Sequence, residues 1–202
     1  HIMTSFFRFP YCLFALLLVV SLASAHSEKQ DGNAQIIDLS EGPHFSKSDH
    51  NSLKMLWAGL ADATGLKVYE GLPHPFWDKT LYDAEKRRSH TITLNGQLFY
   101  ADGRTPTAEA CNEICRSLRV VDFYRPTLPV PKQCGGFHAD YAITWNSGER
   151  DFRLLVCFGC GEIHAYGPGF TIETDLSKEG YVRLRKLLIV YWNKRPKGEV
   201  AF

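Results

Sequence analysis

Two cysteine-bearing turns bracket a pair of strand-like runs between Cys134 and His164, and they narrow what this chain can fold into. The window opens with Cys134-Gly-Gly-Phe-His138 and closes with Cys157-Phe-Gly-Cys160-Gly161. Between them lie Tyr141-Ala-Ile-Thr-Trp145 and Phe152-Arg-Leu-Leu-Val156, which as a hairpin would bring both turns to one end. A C-x2-C-G after an apolar strand has the form of a metal knuckle: glycine relieves the sharp turn and both thiolates point at one spot. Zinc wants four tetrahedral ligands, and Cys134, His138, Cys157 and Cys160 supply them, with His164 as an alternative fourth. Such a set is closed, so the zinc would be structural. The same proximity in an oxidising compartment gives a disulfide from Cys134 to Cys157 or Cys160. Closing a loop of about 25 residues would contribute roughly 3 kcal/mol. Both readings stand on the sequence.

The compartment follows from the first 25 residues. Arg8 precedes an unbroken apolar run, Tyr11 to Val20, too short to span a bilayer, and Ala23-Ser24-Ala25 is a cleavage site. Residues 1–25 therefore read as a secretory signal, and the protein as periplasmic or secreted, with no membrane span after cleavage. Cys12 leaves with the signal. Cys111, Cys115, Cys134, Cys157 and Cys160 remain, an odd count that leaves at least one thiol unpaired in a monomer. Cleavage after Ala25 would also expose His26, whose amine and imidazole can chelate copper, but that chemistry needs a second histidine, and His44 and His50, nearby in sequence, lie in a polar arm. A net charge of +1 gives no electrostatic footprint for nucleic acid. A protein partner is compatible with the composition; nothing in it selects one.

Residues 26–47 are polar and read as a flexible arm, and 48–193 as a single domain. Leu53, Leu56, Trp57 and Leu60 make a helical stripe over Asp49 to Thr64, with Asp49 as N-cap and Gly65 just past the end. Leu66 to Tyr69 is a short strand. His74 sits between two prolines as a stiff, exposed imidazole and a candidate for binding. A rigid loop covering the core edge with Phe76 and Trp77 explains it more simply. Asp78 to Ser89 is so charged that it reads as a solvated face. Thr91 to Tyr100 is a hairpin about Asn95-Gly96. Thr105-Pro106 opens a second helix that buries Cys111 and Cys115 on its apolar face. Val121 to Lys132 has three prolines and reads as an irregular connection. Glu162 to Tyr166 and Phe170 to Thr174 form a further hairpin about Gly167-Pro-Gly169, and Ser177 caps a last helix reaching Trp192. Residues 194–202 read as a frayed tail.

Three helices and roughly six short strands without a β-α-β repeat predict an α+β fold, an antiparallel sheet with the helices on one face. Val68-Tyr-Glu-Gly-Leu-Pro-His-Pro75, Cys134-Gly-Gly-Phe-His138 and Cys157-Phe-Gly-Cys160 resemble segments of exported bacterial proteins of uncharacterised activity, from about residue 53 onward. The resemblance implies that the three segments act as one unit and brings no activity with it. No nucleophile elbow, zincin helix or phosphate loop is present. The chain thus reads as an exported binding or structural module centred on the Cys/His cluster, with His74 and His164 as further binding candidates. The enzymatic alternative is thiol–disulfide exchange at Cys157 and Cys160. It is disfavoured because the motif opens no helix whose dipole would lower the first thiol's pKa.

Overall fold

A computed structural model describes residues 44–128, 132 and 134–196. The signal segment, His26 and the arm through residue 43 lie outside the described residues, as do 129–131, 133 and the tail from 197 onward. The fold is α+β: a six-stranded antiparallel sheet, a separate hairpin and four packed helices.

The sheet runs in the order β1-β5-β6-β7-β8-β4. β5 (Tyr141–Ser147), β6 (Arg150–Cys157), β7 (Glu162–Gly167) and β8 (Phe170–Leu176) form a meander. Its turns carry Gly148, Gly161 and Gly169 at positive φ, where a β-carbon would be strained. β1 (Thr64–Glu70) flanks β5 in antiparallel register, Val68 opposite Ile143. β2 (Thr91–Leu94) and β3 (Gln97–Tyr100) are the predicted hairpin, with Asn95 and Gly96 both at positive φ, as a type I′ turn requires.

Alternation along the strands splits the buried residues into two sets. Ile143 and Leu154 face one side, joining Leu53, Leu56 and Leu60 of α1 (Lys47–Ala61), Ile114 of α3 (Ala108–Ser117) and Leu184 and Leu188 of α4 (Lys178–Leu188) in the main core. Ala142 and Leu155 face the other side, where they meet Phe99 of the hairpin and Ala139. Cys111 and Cys115 of α3 pack against the main core as free thiols. Among the described residues no helix is long and apolar enough to cross a membrane.

Four features differ from the sequence expectation, each for a local reason. The first helix starts three residues early because Ser46, not Asp49, is the N-cap. Asp49 sits at the third helical position and completes a capping box. The second predicted helix is capped by Thr107, which accepts the N–H of Ala110. The irregular connection holds a short strand, β4 (Tyr124–Arg125), paired with the end of β8. The charged run is a fourth helix, α2 (Lys79–Arg88), whose fully buried residue is the acid Glu85.

Candidate functional site around a disulfide-stapled loop

Cys134 and Cys160 form a disulfide with Cα atoms 5.5 Å apart and a sequence separation of 26. Cys160 lies in the β6–β7 turn, and Cys134 opens a segment in which Gly135 and Gly136 both take positive φ. The stapled segment lies against the residues that follow β1. Trp77 donates its indole N–H to the Cys134 carbonyl at 3.1 Å. A β-carbon built on Gly135 would fall 3.1 Å from the His74 ring and 3.1 Å from Phe76, so the backbone passes close to both. The three segments singled out in the sequence therefore meet in space.

Of the two partners the sequence offered Cys134, Cys160 is the one joined to it, and Cys157 stays free. Cys157 ends β6 as a buried free thiol, and its sulfur accepts the backbone N–H of Cys160 at 3.1 Å. Burial pushes this thiol up to about 11, against the lowering effect of backbone donors from His138 and Cys160. It stays protonated at neutral pH. His138 is buried too, and its Nε2 lies 2.8 Å from the Leu72 carbonyl. Burial lowers its pKa to about 4, opposed chiefly by the nearby Asp140 carboxylate.

His74 is 8% exposed, not the exposed imidazole the sequence suggested. Its ring packs edge-on to His138, with centroids 4.8 Å apart. Nδ1 accepts the backbone N–H groups of Phe76 at 3.1 Å and Trp77 at 3.3 Å. Burial lowers its pKa, so the neutral ring carries its proton on Nε2. That nitrogen is buried without a hydrogen-bond partner. The Cys134 carbonyl, which accepts the Trp77 indole N–H, also faces the ring and makes it more basic, and its second lone pair is the nearby acceptor for Nε2–H.

Beside His74 a small cleft is lined by Asp78, Asp140, Tyr141, Phe158, Arg185, Ile189, Trp192, Arg195 and Pro196. The last residues described build one wall, and they are held firmly where a frayed tail was expected. Glu70, 6% exposed, accepts the backbone N–H groups of Asn193, Lys194 and Arg195 at 2.8–3.0 Å. The Arg195 guanidinium reaches Asp140 Oδ1 at 2.8 Å and the carbonyls of Gly71 and Asp140. Asp140 Oδ2 accepts the Phe158 N–H at 2.7 Å. The Asp140 that the sequence places beside His138 is therefore paired with Arg195, 55 residues further along the chain and beyond any local signal.

On the far side of the loop Phe137 stacks on His164, ring centroids 3.6 Å apart and nearly parallel. His164 Nε2 lies 2.8 Å from Glu162 Oε1, and Nδ1 lies 3.7 Å from Glu173 Oε1. Glu162, His164 and Glu173 offer ligand atoms all within 4.8 Å of one another, the one such group of three among the described residues. Lys132 bridges Glu162, at 2.8 Å, and Asp175. Sequence reasoning named His164 but missed its two glutamates and the Glu70 and Arg195 clamps. The strand register that pairs His164 with Glu173 is the signal that would have found one of them.

Fold and site define a disulfide-stapled α+β protein with an antiparallel meander and a tethered C-terminal segment. No protein-family model, curated protein or solved structure matches the chain.

Proposed function

We propose that this is an exported binding module, with its ligand site in the cleft beside the stapled loop. The observation that carries the reading is the His74 proton. Nδ1 is committed to two backbone donors, which leaves Nε2–H buried without a well-formed hydrogen bond, near a Cys134 carbonyl that the Trp77 indole shares, in a residue that lines the cleft. An unmet donor costs about 1–3 kcal/mol, and an oxygen from a ligand would offset it. The cleft volume of about 50 Å³ takes roughly three or four waters, hence a carboxylate, an amide or a zwitterionic end group, and not a large ligand. Two arginines face two aspartates in the lining, so its formal charge is balanced. That favours a neutral or zwitterionic ligand over a polyanion.

The disulfide supports the export reading, because such bonds persist in oxidising compartments. A protein cleaved after Ala25 would begin at His26. Zinc at Cys134, His138, Cys157 and Cys160 belongs to the reduced form, since two of the four ligands are tied to each other when oxidised. Thiol–disulfide exchange at Cys157 and Cys160 is less well supported: Cys157 is buried and protonated, a poor nucleophile.

Titrating the isotopically labelled protein with acetate, acetamide and glycine tests the cleft. At least one should move the Trp192 indole N–H resonance while leaving that of Trp145, bonded to Gly59 in the core, unchanged. Ile189→Trp, at a rim position 41% exposed, should abolish the response by filling the cleft without unfolding the protein. No response to any of the three probes, or an unaltered response in the variant, would remove the cleft from consideration.

A further inference from the structure

The face of the β7–β8 ladder turned away from the main core carries a square of four polar side chains. In register, Glu162 stands opposite Asp175, and His164 opposite Glu173. Side chains directly opposite on antiparallel strands point to the same face, within about 5.5 Å at Cβ, and like charges so placed repel. Three of these four are carboxylates, and Lys132 is the ammonium that touches them, on Glu162 and Asp175. The group therefore holds two negative charges more than positive ones.

We infer that Glu162, His164 and Glu173 form a binding site for a divalent transition-metal ion of the zinc class. The ligand atoms are already gathered within 4.8 Å of one another. The imidazole is 9% exposed and cannot swing away, because Phe137 stacks flat on it at 3.6 Å. An ion bound by the imidazole and both carboxylates displaces any proton held between His164 and Glu162, and that proton goes to solvent, leaving Glu173 free to act as a ligand. A dication cancels the surplus charge without disturbing Lys132 on the second oxygen of Glu162. One imidazole with two carboxylates selects zinc-like or manganese-like ions over magnesium or calcium, which prefer all-oxygen shells. Three protein ligands leave at least one position for water or a ligand atom. This site uses no cysteine, shares with the cysteine cluster only His164, its alternative fourth ligand, and does not depend on the cleft.

The test uses the disulfide-intact protein, zinc chloride alone as the probe, and excess magnesium as competitor. Calorimetry and native mass spectrometry should find one zinc per chain. His164→Gln should abolish binding. Glu173→Gln, at an exposed position where the fold is indifferent, should weaken it at least about tenfold. Absence of bound zinc would overturn the inference, as would affinity unchanged in Glu173→Gln. Zinc bound only after a dithiol has reduced Cys134–Cys160 would overturn it too, by assigning the ion to the cysteines.

Discussion

Glu85 is a charged residue doing the work of an apolar one. It is 3% exposed on helix α2 and accepts from Tyr100 Oη at 3.0 Å, from Ser89 Oγ at 2.9 Å and from the Arg88 guanidinium. Burial alone would raise its pKa, but the donors of Arg88, Ser89 and Tyr100 outweigh it and hold the carboxyl below its ordinary value. A folded-state pKa below the unfolded one means the carboxylate stabilises the fold above the unfolded value of about 4.3, and that this stability is lost as pH falls through the folded pKa. Glu85→Gln preserves the shape but turns a donor toward donors. Urea unfolding should find the variant about 1–3 kcal/mol less stable at pH 7, with a smaller gap at pH 3, below the unfolded-state value. An equal gap at both pH values would mean that the amide is merely misfitted and that charge plays no part.

At the scale of elements, the segment after α4 is fixed by a buried pair and a backbone clamp. Arg195 and Asp140 are 15% and 12% exposed in their side chains, so removing the guanidinium strands a carboxylate where water cannot reach it well. Arg195→Ala should therefore cost about 3 kcal/mol by denaturant unfolding. Lys194→Ala, which breaks an exposed pair with Asp102, should cost under about 1 kcal/mol. Equal costs would show that the segment adds nothing to the core. This segment also marks where sequence reading stops. The hairpins, the α1 and α4 stripes and the Ser177 cap were legible because apolar periodicity and turn chemistry act within a few residues. Helix α2 was not, since its one fully buried residue is an acid and periodicity counts only apolar side chains. The Glu70 clamp spans 123 to 125 residues and leaves no local trace. At the site, cysteine spacing brought Cys134 and Cys160 together correctly, yet it could not say that they pair with each other while Cys157 stays free. His164 was legible as a candidate, but its glutamates come from strand register, which hydropathy does not encode.

For the whole molecule the question is whether the disulfide makes the fold or only steadies it. The main core joins α1, α3 and α4 to one face of the sheet through buried leucines, isoleucines and aromatics, none of which belongs to the Cys134–His138 segment. The bridge lies at one end of the meander and closes 26 residues. Its effect should fall mainly on the unfolded chain, whose lost loop entropy corresponds to about 3.5 kcal/mol. A protein of this size has roughly 5–15 kcal/mol to lose. Reduction should therefore lower the unfolding free energy by about that amount, and the denaturation midpoint with it, while far-ultraviolet circular dichroism stays native. The denaturant slope should rise, because the uncrosslinked chain exposes more surface on unfolding. Local change should be confined to the loop, read as altered fluorescence of Trp77, whose indole is bonded to the Cys134 carbonyl. Cys157 should remain unlabelled by thiol reagents until the chain unfolds, because its burial comes from β6 and not from the bridge. If reduction instead melts the protein outright, or Cys157 reacts at once, the second layer of packing around Phe99, Ala139 and Leu155 depends on the staple. The bridge would then be part of the core's construction.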